Sequence, residues 1–223
     1  MNAYRLKTTL HRFVLLSLMI ASGSVYSFVQ ATSESSKNWH FKVFLDGDEI
    51  GSHSFSVIDK DQHQEIYSKA QFDVKFLFFT AYSYQHDDVE HWSGNCLQSI
   101  NAVTNDNGDE YKVSGKIDET AFIVTVNDKQ NSYQPCIKTF AYWDPSFLRE
   151  TTLLNSQTGE MVEVQSELIG NESVAFNGEA IQARRYRISG EALQIDLWYS
   201  DDDHWLALES ITEGGRVVRY AIP

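Results

Sequence analysis

The sequence is short of the residues that mark the commonest enzyme classes. It holds two cysteines, Cys96 and Cys136, and their spacing rules out a C-x-x-C redox pair. No G-x-S-x-G elbow presents a serine nucleophile, and Ser93-Gly94-Asn95-Cys96 lacks a strand-to-helix turn. There is no phosphate-cradling Gly loop and no H-x-x-x-H pair for zinc, and Asp201-Asp202-Asp203-His204 lacks the frame of a calcium loop. Positive charge is scarce too: 18 Lys and Arg stand against 31 Asp and Glu, a net charge of −13. Phosphate backbones need concentrated cationic charge, so nucleic acid is excluded as a partner. Glycosidase chemistry needs two carboxylates, but among 31 acidic residues the count singles out no pair.

What is present begins with Arg5, Lys7 and Arg12 ahead of an apolar run from Phe13 to Ile20, followed by small residues up to Val29-Gln30-Ala31. This pattern predicts a signal peptide over residues 1–31 cleaved after Ala31, with a cut near Ser24 as the alternative. The strongly apolar part is shorter than the ~20 residues of a membrane span, and no cysteine follows it for a lipid anchor. The expected product is periplasmic or secreted, without stable membrane insertion. Removing residues 1–31 takes away three basic residues and no acidic one, which moves the net charge from −13 to −16. In an exported chain the two cysteines are read as a Cys96–Cys136 disulfide, with two buried thiols as the alternative, and closing that loop would add roughly 3 to 4 kcal/mol.

Residues 32–223 read as a single antiparallel β domain. Trp39, Phe41, Val43 and Leu45 alternate with His40, Lys42 and Phe44, and Asp46-Gly47-Asp48 turns the chain back. From Ile66 to Phe78 one parity carries Ser68, Ala70, Phe72, Val74 and Phe76 while Lys69, Gln71, Asp73 and Lys75 take the other, as does Glu65 before them. Three apolar runs between Ile181 and Thr212, with a fourth from Arg216 to Ile222, form a meander. Asp144 as an N-cap with Pro145 at the first helical position predicts one short helix near 145–154. About a dozen strands with scarcely any helix give an all-β fold, a curved or closed β-barrel-like sheet.

Two sets of residues are candidates for function. In His86-Asp87-Asp88-Val89-Glu90-His91 a strand projects His86, Asp88 and Glu90 to one side, a donor set that could hold a divalent ion. His86, Glu90 and His91 are candidates for acid–base work; the plainer reading is a polar network at a strand end. The strand from Thr80 to Trp92 has no wholly apolar face, so it lines a polar interior or lies at an edge. Phe76, Phe78, Tyr82, Tyr84 and Trp198 are the aromatic side chains expected to line a ligand wall, with core packing as the competing role. No cofactor is expected.

Several phrases occur together: W-H-F-K-V-F-L-D-G-D-E-I-G (39–51), V-E-H-W-S-G-N-C-L (89–97), L-L-N-S-Q-T-G-E (153–160), A-R-R-Y-R-I-S-G-E (183–191) and L-W-Y-S-D-D-D-H-W (197–205). In this order they resemble an uncharacterised family of exported bacterial proteins, a domain of unknown function. The tail is also similar to another periplasmic family of unknown function with an open β-barrel-like architecture. The resemblance implies an envelope location and an all-β fold, and it brings no catalytic residues.

The leading expectation is an exported envelope binding or carrier module for an apolar or amphipathic small molecule, such as a lipid or envelope component. One alternative is a periplasmic hydrolase or isomerase using His86, Asp88, Glu90 or His91. The other is a structural or adaptor protein that pairs an exposed sheet edge with an unknown protein partner.

Overall fold

The computed structural model describes residues 35–76, 79–212 and 214–223, with Phe76 and Phe79 in backbone only. The expected signal peptide and Phe78 lie outside these residues. Strands β1 (Ser35–Leu45) and β2 (Asp48–Lys60) form a hairpin. Its turn residues Asp46 and Gly47 both take positive φ, 52° and 96°, the conformation that matches the right-handed twist of the flanking strands. Short turns then lead through β3 (His63–Phe76), β4 (Phe79–Ser93), β5 (Cys96–Asp106), β6 (Asp109–Asp118), β7 (Ala121–Val126) and β8 (Lys129–Tyr133).

A second meander runs through β11 (Gln165–Phe176), β12 (Glu179–Gly190), β13 (Leu193–Tyr199), β14 (Trp205–Ile211) and β15 (Val217–Ala221). The two meanders join where β15 pairs with β1, with Val43 opposite Tyr220. The result is one 13-stranded antiparallel sheet in the order β11-β12-β13-β14-β15-β1-β2-β3-β4-β5-β6-β7-β8. It is curved and does not close; β11 and β8 stand at its edges.

Residues 134–164 cross from one edge strand to the other and pack against the inner face of the sheet. This insertion carries a turn of 3₁₀ helix (Pro145–Arg149) and a small hairpin of β9 (Thr152–Leu154) and β10 (Met161–Glu163). The cap expected at Asp144 is present: its carboxylate accepts from the Ser146 N–H at 3.0 Å, and Pro145 opens the helix. The helix ends at Arg149, however, and the stretch predicted to continue it to 154 is extended. There Leu153 and Leu154 both go into the core, and the Leu154 N–H reaches the Lys138 carbonyl at 2.8 Å. Packing of two adjacent leucines against the sheet outweighs their helical propensity.

Among the ties that hold the insertion are three to β5, β6 and β7. Cys96 and Cys136 are joined as a disulfide. The Leu97 N–H donates to the Ile137 carbonyl at 3.2 Å. Gly159 (φ +72°) lies against β6 and β7, where a Cβ would stand 2.2 Å from a Val126 methyl. No larger residue fits without displacing that wall.

The core follows from strand alternation. On β1, Trp39, Phe41 and Val43 are buried while His40 and Lys42 are exposed. They meet Phe55, Trp92, Leu97, Phe122 and Tyr199 from other strands, and Phe147, Leu153 and Leu154 from the insertion. Each such side chain contributes about 1.5–3 kcal/mol by leaving water. A second cluster lies on the opposite face of the sheet, where Trp198 packs with Val174, Ala183, Leu206 and Ala207.

Candidate functional site

Strand β4 builds the site. Tyr84, His86, Asp88, Glu90 and Trp92 share one parity and are buried, whereas Asp87 and His91 point the other way and are exposed. The neighbours opposite them are small: Ala70 and Thr104 face His86, Ser68 and Ala102 face Asp88. On the next strand His53 pairs across from Ala70. This patch of short side chains leaves the inner face unfilled beside the insertion. A half-open cavity of about 1480 Å³ results, walled by β2, β3 and β4, the insertion, and the near ends of β12 to β15.

The polar groups on its wall are tied into a network. His53 Nε2 is 2.7 Å from the Ser68 hydroxyl, and its Nδ1 is 3.3 Å from the Tyr220 hydroxyl. His86 Nδ1 lies 2.9 Å from Thr104 Oγ1, and its Nε2 is 3.5 Å from Ser156 Oγ on the insertion. The Trp92 indole N–H donates to Glu90 Oε2 at 2.7 Å. Asp88 differs. It is 5% exposed, yet its Oδ1 has no hydrogen-bond partner.

Burial sets the charge of these groups. It holds His53 well below its ordinary pKa, helped by the neighbouring His86, and it brings His86 down to about 4. It also pushes Asp88 well above the carboxylate range, reinforced by the adjacent Glu90. Glu90 is raised by burial as well, against the hydrogen bonds from Trp92 and Thr139. Removing water disfavours charge of either sign, so the wall offers neutral imidazoles and carboxyl groups that share protons.

Of the residues predicted from sequence, the structure brings His86, Asp88 and Glu90 together on the cavity wall, and β4 is the polar interior strand that its pattern allowed. His91 is not with them: it lies on the outer face, with Nδ1 3.2 Å from the Ser99 hydroxyl and Nε2 3.8 Å from Glu65. Strand parity carries it away from the residue before it. As ligands for one ion the three inner groups are poorly placed, because the Asp88 and Glu90 carboxyls interact with each other whereas the His86 ring nitrogens face Thr104 and Ser156. Among the described residues no three His, Cys, Asp or Glu side chains group to hold a metal.

Among the expected aromatic wall residues, Tyr84 is on the inner face, stacked on Phe72 at 5.2 Å, but it is core packing beside the cavity and not part of its lining. Tyr82 is half-buried and hydrogen-bonded to Asp106, with burial raising its pKa. Phe76 pairs with Phe79 at the end of β3. Trp198 is a correction. Its parity is opposite to Leu197 and Tyr199, so it faces away from the cavity, and its indole donates to Glu172 under Arg185 and Arg219, at 5.1 and 5.7 Å.

The aromatic residues that do line the cavity are Phe55, Phe140, Tyr142, Trp143 and Tyr220. Sequence reasoning passed over His53, Ser68, Thr104 and Ser156. His53 and Ser68 could have been found by parity, since His53 shares its face with Phe55 and Val57, and Ser68 with Ile66 and Ala70. Ser156 carries no such signal, because it belongs to an irregular turn.

The geometry speaks against His86 as a strong base. Its Nδ1 faces a threonine hydroxyl and no carboxylate, and the charge of Asp87 does not offset the cost of burying an imidazolium.

Residues 41–222 match the model of a domain of unknown function, DUF6134, and the chain belongs to that family. Among solved structures it is similar to a β-barrel-like protein of another domain of unknown function, DUF1849, from Brucella abortus. The TM-score is 0.58 at 8% identity, covering 83% of this chain and 94% of that one. At that identity the likeness is one of fold. No curated protein matches.

Proposed function

We propose that the protein is an exported binding module of the bacterial envelope that holds an amphipathic small molecule against the inner face of its curved sheet. The observation that carries this reading is the half-open cavity of about 1480 Å³, larger than the ~300–1,000 Å³ of most small-molecule sites. One part of its wall is aromatic, from Phe55, Tyr142, Trp143 and Tyr220, and the other is the polar row of His53, His86, Asp88 and Glu90. Such a division suits a molecule with an apolar body and a polar end. Export is supported by the basic-apolar-small pattern of residues 1–31 and by the Cys96–Cys136 disulfide, a bond that persists in oxidising compartments.

Native mass spectrometry of the full chain with a series of alkyl alcohols tests the binding. One-to-one complexes that tighten with alkyl length are expected. Ser156→Trp, at the tip of the insertion, should fill the cavity and abolish them while the melting temperature stays within a few degrees. A chain that takes up no alcohol of any length, or a Ser156→Trp variant that binds as well as wild type, would overturn the proposal.

A further inference from the structure

Among the described residues the cavity wall carries five carboxyl side chains and no lysine or arginine. Glu160, Glu163 and Glu191 are exposed around the open side, and Asp88 and Glu90 are buried within. Both histidines on the wall are held neutral by burial. Among the described residues nothing on the wall offers a positive charge to an anionic head group, while the three exposed carboxylates Glu160, Glu163 and Glu191 favour a cation on the approach. Burying a carboxylate or phosphate head here would leave it without a cationic partner in a medium of low dielectric, where an unpaired charge is costly.

The inner end of this path has the geometry of a receptor for one more donor. Asp88 is buried with Oδ1 lacking a hydrogen bond, and a buried polar atom left so is costly unless something fills the place. Around it, Ser68 and Ser156 contribute hydroxyls, and Phe55, Tyr142 and Tyr220 contribute aromatic rings to the same cavity. Aromatic faces attract a cation through their quadrupole, more so when it has shed water.

From these observations, and resting on the binding function proposed above, we infer that the ligand is a cationic amphiphile whose primary ammonium group donates to Asp88 and whose apolar body lies along the aromatic side of the cavity. A positive head satisfies the orphaned oxygen and answers the acidic rim. A neutral alcohol satisfies the oxygen alone, and a carboxylate does neither.

Calorimetric titration of the full chain with dodecylamine, dodecanol and dodecanoate below their aggregation limits tests this. Dodecylamine is expected to bind at least about tenfold tighter than dodecanol, a difference of roughly one decade in Kd, with dodecanoate the weakest. Asp88→Asn should erase the amine preference, leaving dodecylamine to bind no more tightly than dodecanol. Amine and alcohol binding equally, or dodecanoate binding best, would overturn the cationic head and leave the binding module standing. Failure of all three to bind would remove both.

Discussion

The two histidines and two carboxyl groups buried on the cavity wall pull stability in opposite directions with pH. His53 and His86 are depressed in the folded chain, so on acidification the unfolded chain takes up protons first. Their contribution is whole above about 6.5 and is lost as the pH falls towards about 4, the value for His86. Thermal scans from pH 7 to pH 4 should therefore show a steeper fall of Tm for wild type than for His86→Gln; equal slopes would contradict the assignment. Asp88 and Glu90 are raised, so their contribution is whole below the ordinary carboxylate range and is lost as pH rises. Asp88→Asn should then raise Tm at pH 7 by about 2 °C or more, the shift expected of ~1 kcal/mol in a domain of this size. The gain should shrink towards pH 4; a variant that is less stable at pH 7 would refute it. The alternation of β4 was legible in the sequence and placed three of these groups on one side. What strand parity alone did not say was which side faced inward, because both faces of Thr80 to Trp92 carry polar residues. That was settled by the short partners Ser68, Ala70 and Ala102 across from them.

Among the elements, the insertion of residues 134–164 is where reading the sequence was weakest. The strands of the sheet announce themselves by a period of two and by Gly, Asn and Asp turns, and their order as meanders follows. The insertion has segments too short for a period to emerge, and its conformation is set by what it packs against. The helix expected near 145–154 illustrates this: local capping at Asp144 fixed where it starts, and tertiary burial of Leu153 and Leu154 fixed where it stops. The same dependence gives two measurements. Leu154→Ala, at a side chain with 0% exposure, should cost about 2–5 kcal/mol by leaving a cavity, read by chemical denaturation. Gly159→Ala adds a methyl where a Val126 carbon stands 2.2 Å away and φ is +72°, and it should destabilise by about 1–3 kcal/mol. A neutral effect at Gly159 would mean that the turn and β7 are not in contact. Trp198 marks a different limit. Its aromatic character was plain, but a second, outer cluster with Val174 and Leu206 requires β11 to lie near β14, which no local pattern encodes.

For the molecule as a whole, the disulfide and the seam between β1 and β15 govern integrity. Cys96 and Cys136 are 40 residues apart, so replacing both with alanine should lower stability by about 4 kcal/mol on loop-closure grounds; reduction of the wild-type chain should lower the denaturation midpoint to the same place. A loss under ~1 kcal/mol would show that the insertion is fixed by packing alone. The seam has another consequence. Because β1 lies between β2 and β15, the ribbon ending at β8 can fold while the later half of the polypeptide is still absent, but its first strand must wait with one side unsatisfied. Assembly is therefore completed by a segment that follows every other strand of the sheet in the chain, when Val217–Ala221 slides in beside Ser35–Leu45. Contacts so distant along the chain make for slow folding, and until they form, the open edge of β1 is a template for pairing with foreign strands.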